Sequence, residues 1–109
     1  MAIIGIDTDS DTLVLWRGRD FKWTFENLDP TGASIDYPAG DLYFEIYAGG
    51  EEPDEWHFTI VDSTATLKVE STAVDAVPNR SLWQLVFLPE GETAGGDPVA
   101  RGRVSRVGD

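Results

Sequence analysis

Apolar and polar residues trade places at every second position through most of this chain, and no long stretch repeats with the 3.6-residue period of a helix. Successive side chains of an extended strand point to opposite faces, so this alternation is what strands with one buried face require. In FKWTFE, Phe21, Trp23 and Phe25 fall on one side and Lys22, Thr24 and Glu26 on the other. DLYFEIY sets Leu42, Phe44 and Ile46 against Tyr43, Glu45 and Tyr47. EWHFTIV lines up Trp56, Phe58 and Ile60, and TATLKVE lines up Ala65, Leu67 and Val69. In the closing VARGRVSRV, Ala100, Gly102 and Val104 share one face, with Arg101, Arg103 and Ser105 on the other.

Two runs depart from strict alternation. TLVLWR is short, mostly apolar and rich in strand formers, while SLWQLVFL is almost wholly apolar, as expected of a strand central in its sheet. Turn residues separate the runs. LDPTG predicts a type I turn opening at Asp29, with Pro30 supplying its fixed φ and Gly32 closing it. STAVDAVPN is the one helical turn, capped by Ser71 or Thr72 and stopped by Pro78. About seven short strands and one helical turn predict an all-β fold: an immunoglobulin-like antiparallel β-sandwich, with a small closed barrel as the alternative. The expected organisation is a flexible acidic leader over residues 1–11 and a single sandwich domain over residues 12–107.

At 109 residues the chain has room for one two-layer core, and 41% hydrophobic residues are enough to fill it. No run nears the roughly 20 apolar residues needed to cross a bilayer as a helix, so membrane insertion is not expected. MAIIGIDTDSD has neither a basic start nor a small-residue cleavage site after an apolar run, so no secretory signal is expected. The balance of 8 basic against 20 acidic residues gives a net charge of −12, which repels phosphate backbones and argues against nucleic acid as a partner. That charge is uneven: Arg101, Arg103 and Arg106 crowd the last segment. They read either as intramolecular partners of nearby carboxylates that protect an edge strand or as a docking strip for an acidic partner.

The signals for chemistry stay at background. DTDSD places Asp7, Asp9 and Asp11 at alternate positions like the start of a calcium loop, but Thr12 and Gly18 stand where that loop needs glycine and a bidentate glutamate. His57 is the only histidine and there is no cysteine, so neither a zinc site nor a disulfide is expected. No serine sits in a G-x-S-x-G context and AGGDP does not continue into a phosphate loop. A chance pair of acids, as in a glycosidase, is the one catalytic arrangement that sequence cannot display. No catalytic residue, cofactor or metal is assigned. Trp23, Trp56 and Trp83 are in phase with core positions and are expected inside, whereas Trp16 lies in a run that is apolar on both faces. Tyr43 and Tyr47 flank Glu45 on the side away from the core, which makes them candidate exposed contact points.

Three blocks carry a resemblance: DTLVLWRGRDFKWTFENLDPTG; PAGDLYFEIYAGG with WHFTI; and STATLKVESTAVDAVPNRSLWQLVFLPEGETAGGDPVARGRV. From about Asp11 to Val104 the chain resembles the small LtfC-like β-sandwich proteins encoded by tailed phages of mycobacteria and related actinobacteria. That resemblance implies an immunoglobulin-like sandwich and a structural or adhesive part in a virion, made and assembled in the host cytoplasm. It implies a minor tail protein of the tail tip or a fibre, with capsid decoration as the alternative, and it supplies no active-site residues. The aromatic content separately raises a carbohydrate-binding module that contacts the host envelope. The implied partners are other virion proteins and further copies of the chain. Tyr43, Tyr47, Arg101 and Arg103 are the residues expected to touch them.

Overall fold

The computed structural model describes residues 10–50 and 52–108 and consists of two facing sheets and one short helix. The strands are β1 (Ser10–Trp16), β2 (Phe21–Glu26), β3 (Gly40–Tyr47), β4 (Asp54–His57), β5 (Thr59–Val61), β6 (Thr64–Val69), β7 (Leu82–Pro89) and β8 (Asp97–Val107). Helix α1 (Ser71–Asp75) lies between β6 and β7. One sheet has five strands in the order β1-β8-β7-β3-β4, and the other has three in the order β2-β6-β5. This is the all-β sandwich expected. The two sheets remain separate, so the chain does not form a closed barrel.

Eight strands appear where about seven were expected, because EWHFTIV is two strands and not one. β4 pairs with β3 in the large sheet, and β5 pairs with β6 in the small one. The chain changes sheets at Phe58, whose backbone N–H donates to the Leu42 carbonyl at 2.8 Å. Trp56 and Phe58 are buried and Ile60 packs against the same core, so the alternation survives the corner. A second difference is strand direction. β1 runs parallel to β8 from Ser10↔Arg101 to Trp16↔Val107, while every other pair is antiparallel. β1 also begins inside the stretch expected as leader, at Ser10; the rest of that stretch, residues 1–9, lies outside the described residues.

The core lies between the sheets. Leu42, Phe44 and Ile46 of β3 and Trp83 and Leu85 of β7 face Ala65, Leu67 and Val69 of β6. β7 is the middle strand of the five, which explains its nearly continuous apolar sequence. Leu13 and Leu15 extend the core beneath β1, where Val74 and Val77 from the helical segment close it.

Helix α1 is held from outside its own sequence. Glu70 occupies its N-cap without a side-chain bond, in place of the expected Ser71 or Thr72. The Asp20 carboxylate accepts from the Ser71 N–H at 2.9 Å instead. At the other end, Arg106 donates to the carbonyls of Val74 at 2.8 Å and of Val77, just past the helix, at 3.2 Å, and the Val74 carbonyl also accepts from the Val77 N–H. The Arg106 side chain is 6% exposed, so it is a structural cation. In the LDPTG turn the Gly32 N–H donates to the Asp29 carbonyl at 3.0 Å, as the type I reading requires. The Asp29 carboxylate also accepts from Thr31 Oγ1 and from the Thr31 and Ala33 N–H groups, which lowers its pKa.

Candidate interaction face

The outward surface of the five-stranded sheet is read most easily in rows that run across the strands. One row holds Thr12 (β1), Arg103 (β8), Leu82 (β7) and Tyr47 (β3). The next holds Ser10, Arg101, Gln84, Glu45 and, on β4, Glu55. A third holds Val86, Tyr43 and His57. The pattern follows from register. Because β8 and β3 flank β7, residues almost sixty positions apart in sequence stand two strand spacings from each other, about 10 Å.

The four expected contact residues therefore lie on one face, although they are not equivalent. Tyr47, Arg101 and Arg103 are exposed and line one shallow concavity of about 640 Å³, together with Ser10, Leu82 and Gln84. Leu82, not singled out from the sequence, is half-exposed and lines that concavity. Tyr43 departs from expectation: it is only 6% exposed. The His57 ring lies 4.9 Å from its ring, and on the other side its register partner Val86 is covered by the Gly96 backbone, where a Cβ would fall 2.6 Å from Val86 Cγ1. Tyr43 is thus covered by neighbouring strands and is not the exposed ring expected.

The β3–β4 side of this face is acidic and internally bonded. Asp41 and Glu55 bracket His57, with Nδ1 2.7 Å from Asp41 Oδ2 and Nε2 3.0 Å from Glu55 Oε1. Tyr47 donates its hydroxyl to Glu45 Oε2 at 2.8 Å. Desolvation and that carboxylate raise its pKa to about 12, so it remains a neutral donor near neutral pH. Burial first, and then the charges of Glu45, Glu55 and Asp41, also push Tyr43 up. Across β7, Arg101 and Arg103 make the β8 side basic, with one Arg103 Nη1 donating to the Arg80 carbonyl at 3.1 Å.

The tryptophans divide two and two. Trp56 and Trp83 are buried, as expected. Trp23 is 52% exposed despite its core phase, and Trp16 is 58% exposed. Trp16 alternates with the buried Leu13 and Leu15 of β1 and so points away from the core, whereas for Trp23 the cause is the unequal width of the sheets. β2 is an edge strand of the narrow sheet, so its inward face meets an apolar groove between the sheets, bordered by Phe21, Phe25, Trp83 and Val99, in place of closed packing. Trp16 and Trp23 also line a common concavity of about 330 Å³ with Arg19, Asp20 and Lys22 at its rim. Among the described residues, no group of three or more His, Asp or Glu is placed to hold a metal ion.

Comparison with known proteins adds a family and relatives. The model of the family described as "LtfC-like, beta-sandwich domain" matches residues 7–107. The chain is 57% identical over 51 residues to "Minor tail protein Gp6" of Mycobacterium phage L5. It is 59% identical over 51 residues to the protein of the same name in Mycobacterium phage D29. Each alignment covers 47% of this chain and 16% of the relative, so the chain matches a small part of a much longer protein.

Proposed function

Because the chain belongs to the LtfC-like β-sandwich domain family, we propose that it is a non-enzymatic structural component of a tailed-phage virion, placed in the tail and held by contact with neighbouring virion proteins. The observation that carries this reading is the 57–59% identity of a 51-residue stretch to two minor tail proteins. The surface fits such a role. Its concavities are shallow, and the exposed trio Tyr47, Arg101 and Arg103 offers an aromatic ring and two guanidiniums, groups enriched where proteins meet. Placement at the tail tip or fibre, with assembly in the host cytoplasm, is the finer form of the same reading. Mass spectrometry of purified particles should detect the chain, and gold-labelled antibody should decorate the tail. Label on the capsid shell would favour decoration there, and absence from the particles would remove the virion role.

A second reading is favoured by Trp16 and Trp23. Two half-exposed indoles with charged and polar groups at the rim are the arrangement that stacks against the apolar faces of sugar rings. On that reading the chain contacts a glycan of the host envelope. Host cell-wall polysaccharide should then quench or shift the fluorescence of the wild type and leave a Trp16→Ala/Trp23→Ala variant unaffected. Equal responses from both proteins would dispose of it.

A further inference from the structure

The outer face of the five-stranded sheet carries opposite charge on the two sides of its central strand, in matching rows. Arg101 and Glu45 sit in one row at equal distances from Gln84. Arg103 and Tyr47 sit in the next, at equal distances from Leu82. We propose that this face binds a second copy of the chain about a two-fold axis lying along β7.

The geometry is self-complementary. Turning one copy by half a revolution about β7 lays its β8 over the other copy's β3 with the rows in step. Arg101 then meets Glu45 and Arg103 meets Tyr47, each contact made twice. On the axis Leu82, half-exposed in the monomer, meets Leu82, and Gln84 meets Gln84. The centre is thus apolar and amide-bearing with charge outside it, the usual anatomy of an interface. Ser10 falls opposite Glu55 at the margin. Facing sheets pack with a rotation of about 30°, so the two central rows fit best and the corners diverge.

Magnitudes set the strength. Five strands about 4.8 Å apart and some six residues deep give a footprint of about 500 Å² per copy. The total near 1,000 Å² lies at the lower bound for specific association, so the dimer is weak and concentration-dependent. Each copy carries a net charge of −12, and the repulsion between distant charges opposes pairing. At about 0.15 M salt it is screened beyond roughly 8 Å, whereas the Arg101–Glu45 contacts fall within that distance. The inference concerns the isolated chain in solution and stands or falls apart from the virion role.

The test is sedimentation equilibrium of the full chain at about 0.15 M salt and about 100 µM, a concentration that saturates a Kd in the low micromolar range. The wild type should approach twice 12.0 kDa. The Arg101→Glu/Arg103→Glu variant has an all-acidic face, and Glu45→Lys/Glu55→Lys has a predominantly basic one; each alone should return to the monomer mass. Mixed in equal amounts they should pair, since every charged contact is restored between unlike copies. Leu82→Asp, at a half-exposed position where the monomer tolerates it, places two carboxylates against each other on the axis and should also give monomer. A monomeric wild type, a dimer indifferent to these changes, or folded charge variants that fail to pair when mixed would each overturn the proposal.

Discussion

Replacing Trp83 by alanine is expected to cost about 3–5 kcal/mol, the range for deleting a large aromatic from a packed interior. The indole is 5% exposed and meets the Phe44 ring edge-on, with centroids 5.5 Å apart and an angle of 80°. Its Nε1–H donates to the Arg103 carbonyl at 3.1 Å, so truncation also removes a bond tying the middle of the sheet to β8. For a domain whose whole stability lies at about 5–15 kcal/mol, such a loss leaves the variant near its unfolding threshold. The same change at Trp23 should cost about 1 kcal/mol, because half of that side chain is already in water and its ring contact with Phe25 at 6.1 Å is peripheral. Urea unfolding of both variants checks the pair. Equal losses would mean that the groove beneath Trp23 closes in solution and that the indole is core after all.

The contrast between those two residues shows where sequence reading stops. Period-two alternation reports which way a side chain points and is silent about whether anything stands opposite. Trp23 and Trp83 have the same phase relative to their neighbours. One lies on an edge strand of the three-stranded sheet and the other on the middle strand of the five-stranded sheet, and only pairing order separates them. Tyr43 fails in the opposite sense: it points outward and is nevertheless covered, under His57 from β4 and beside Val86 from β7. Alternation also has no direction, so it could not distinguish the parallel β1–β8 pair from an antiparallel one. The sandwich, the central position of SLWQLVFL and the helical turn were all legible, because each depends on local composition and period. The candidate face was legible only as separate residues. That Arg101, Leu82 and Tyr47 share a concavity depends on the register of three strands, and no local pattern records it.

Gly102→Val should destabilise the protein by about 3 kcal/mol, the upper part of the range for forcing extra carbon atoms into a packed site. Gly102 needs no unusual backbone; its constraint is space. A Cβ there would overlap the Asp11 carbonyl oxygen and lie 2.7 Å from the Asp11 carbonyl carbon, because the start of β1 crosses directly above it. Backbone cannot rotate aside as a flexible side chain can, so β1 must leave its place beside β8. β1 is an edge strand, which makes detachment of its first residues the easiest relief, and with it the packing of Leu13 against Val104 is weakened. Hydrogen exchange should show this as lost protection at Asp11 to Val14, with β3 and β7 still slow to exchange. Gly18→Ala serves as the control. Gly18 has φ of 73° and nothing within 4 Å of its would-be Cβ, so only conformational strain of about 1 kcal/mol is expected there. A Gly102→Val variant no less stable than Gly18→Ala, with β1 amides still protected, would show that β1 does not press on β8 at this point. The parallel pairing that aligns Thr12 with Arg103 would then have to be redrawn.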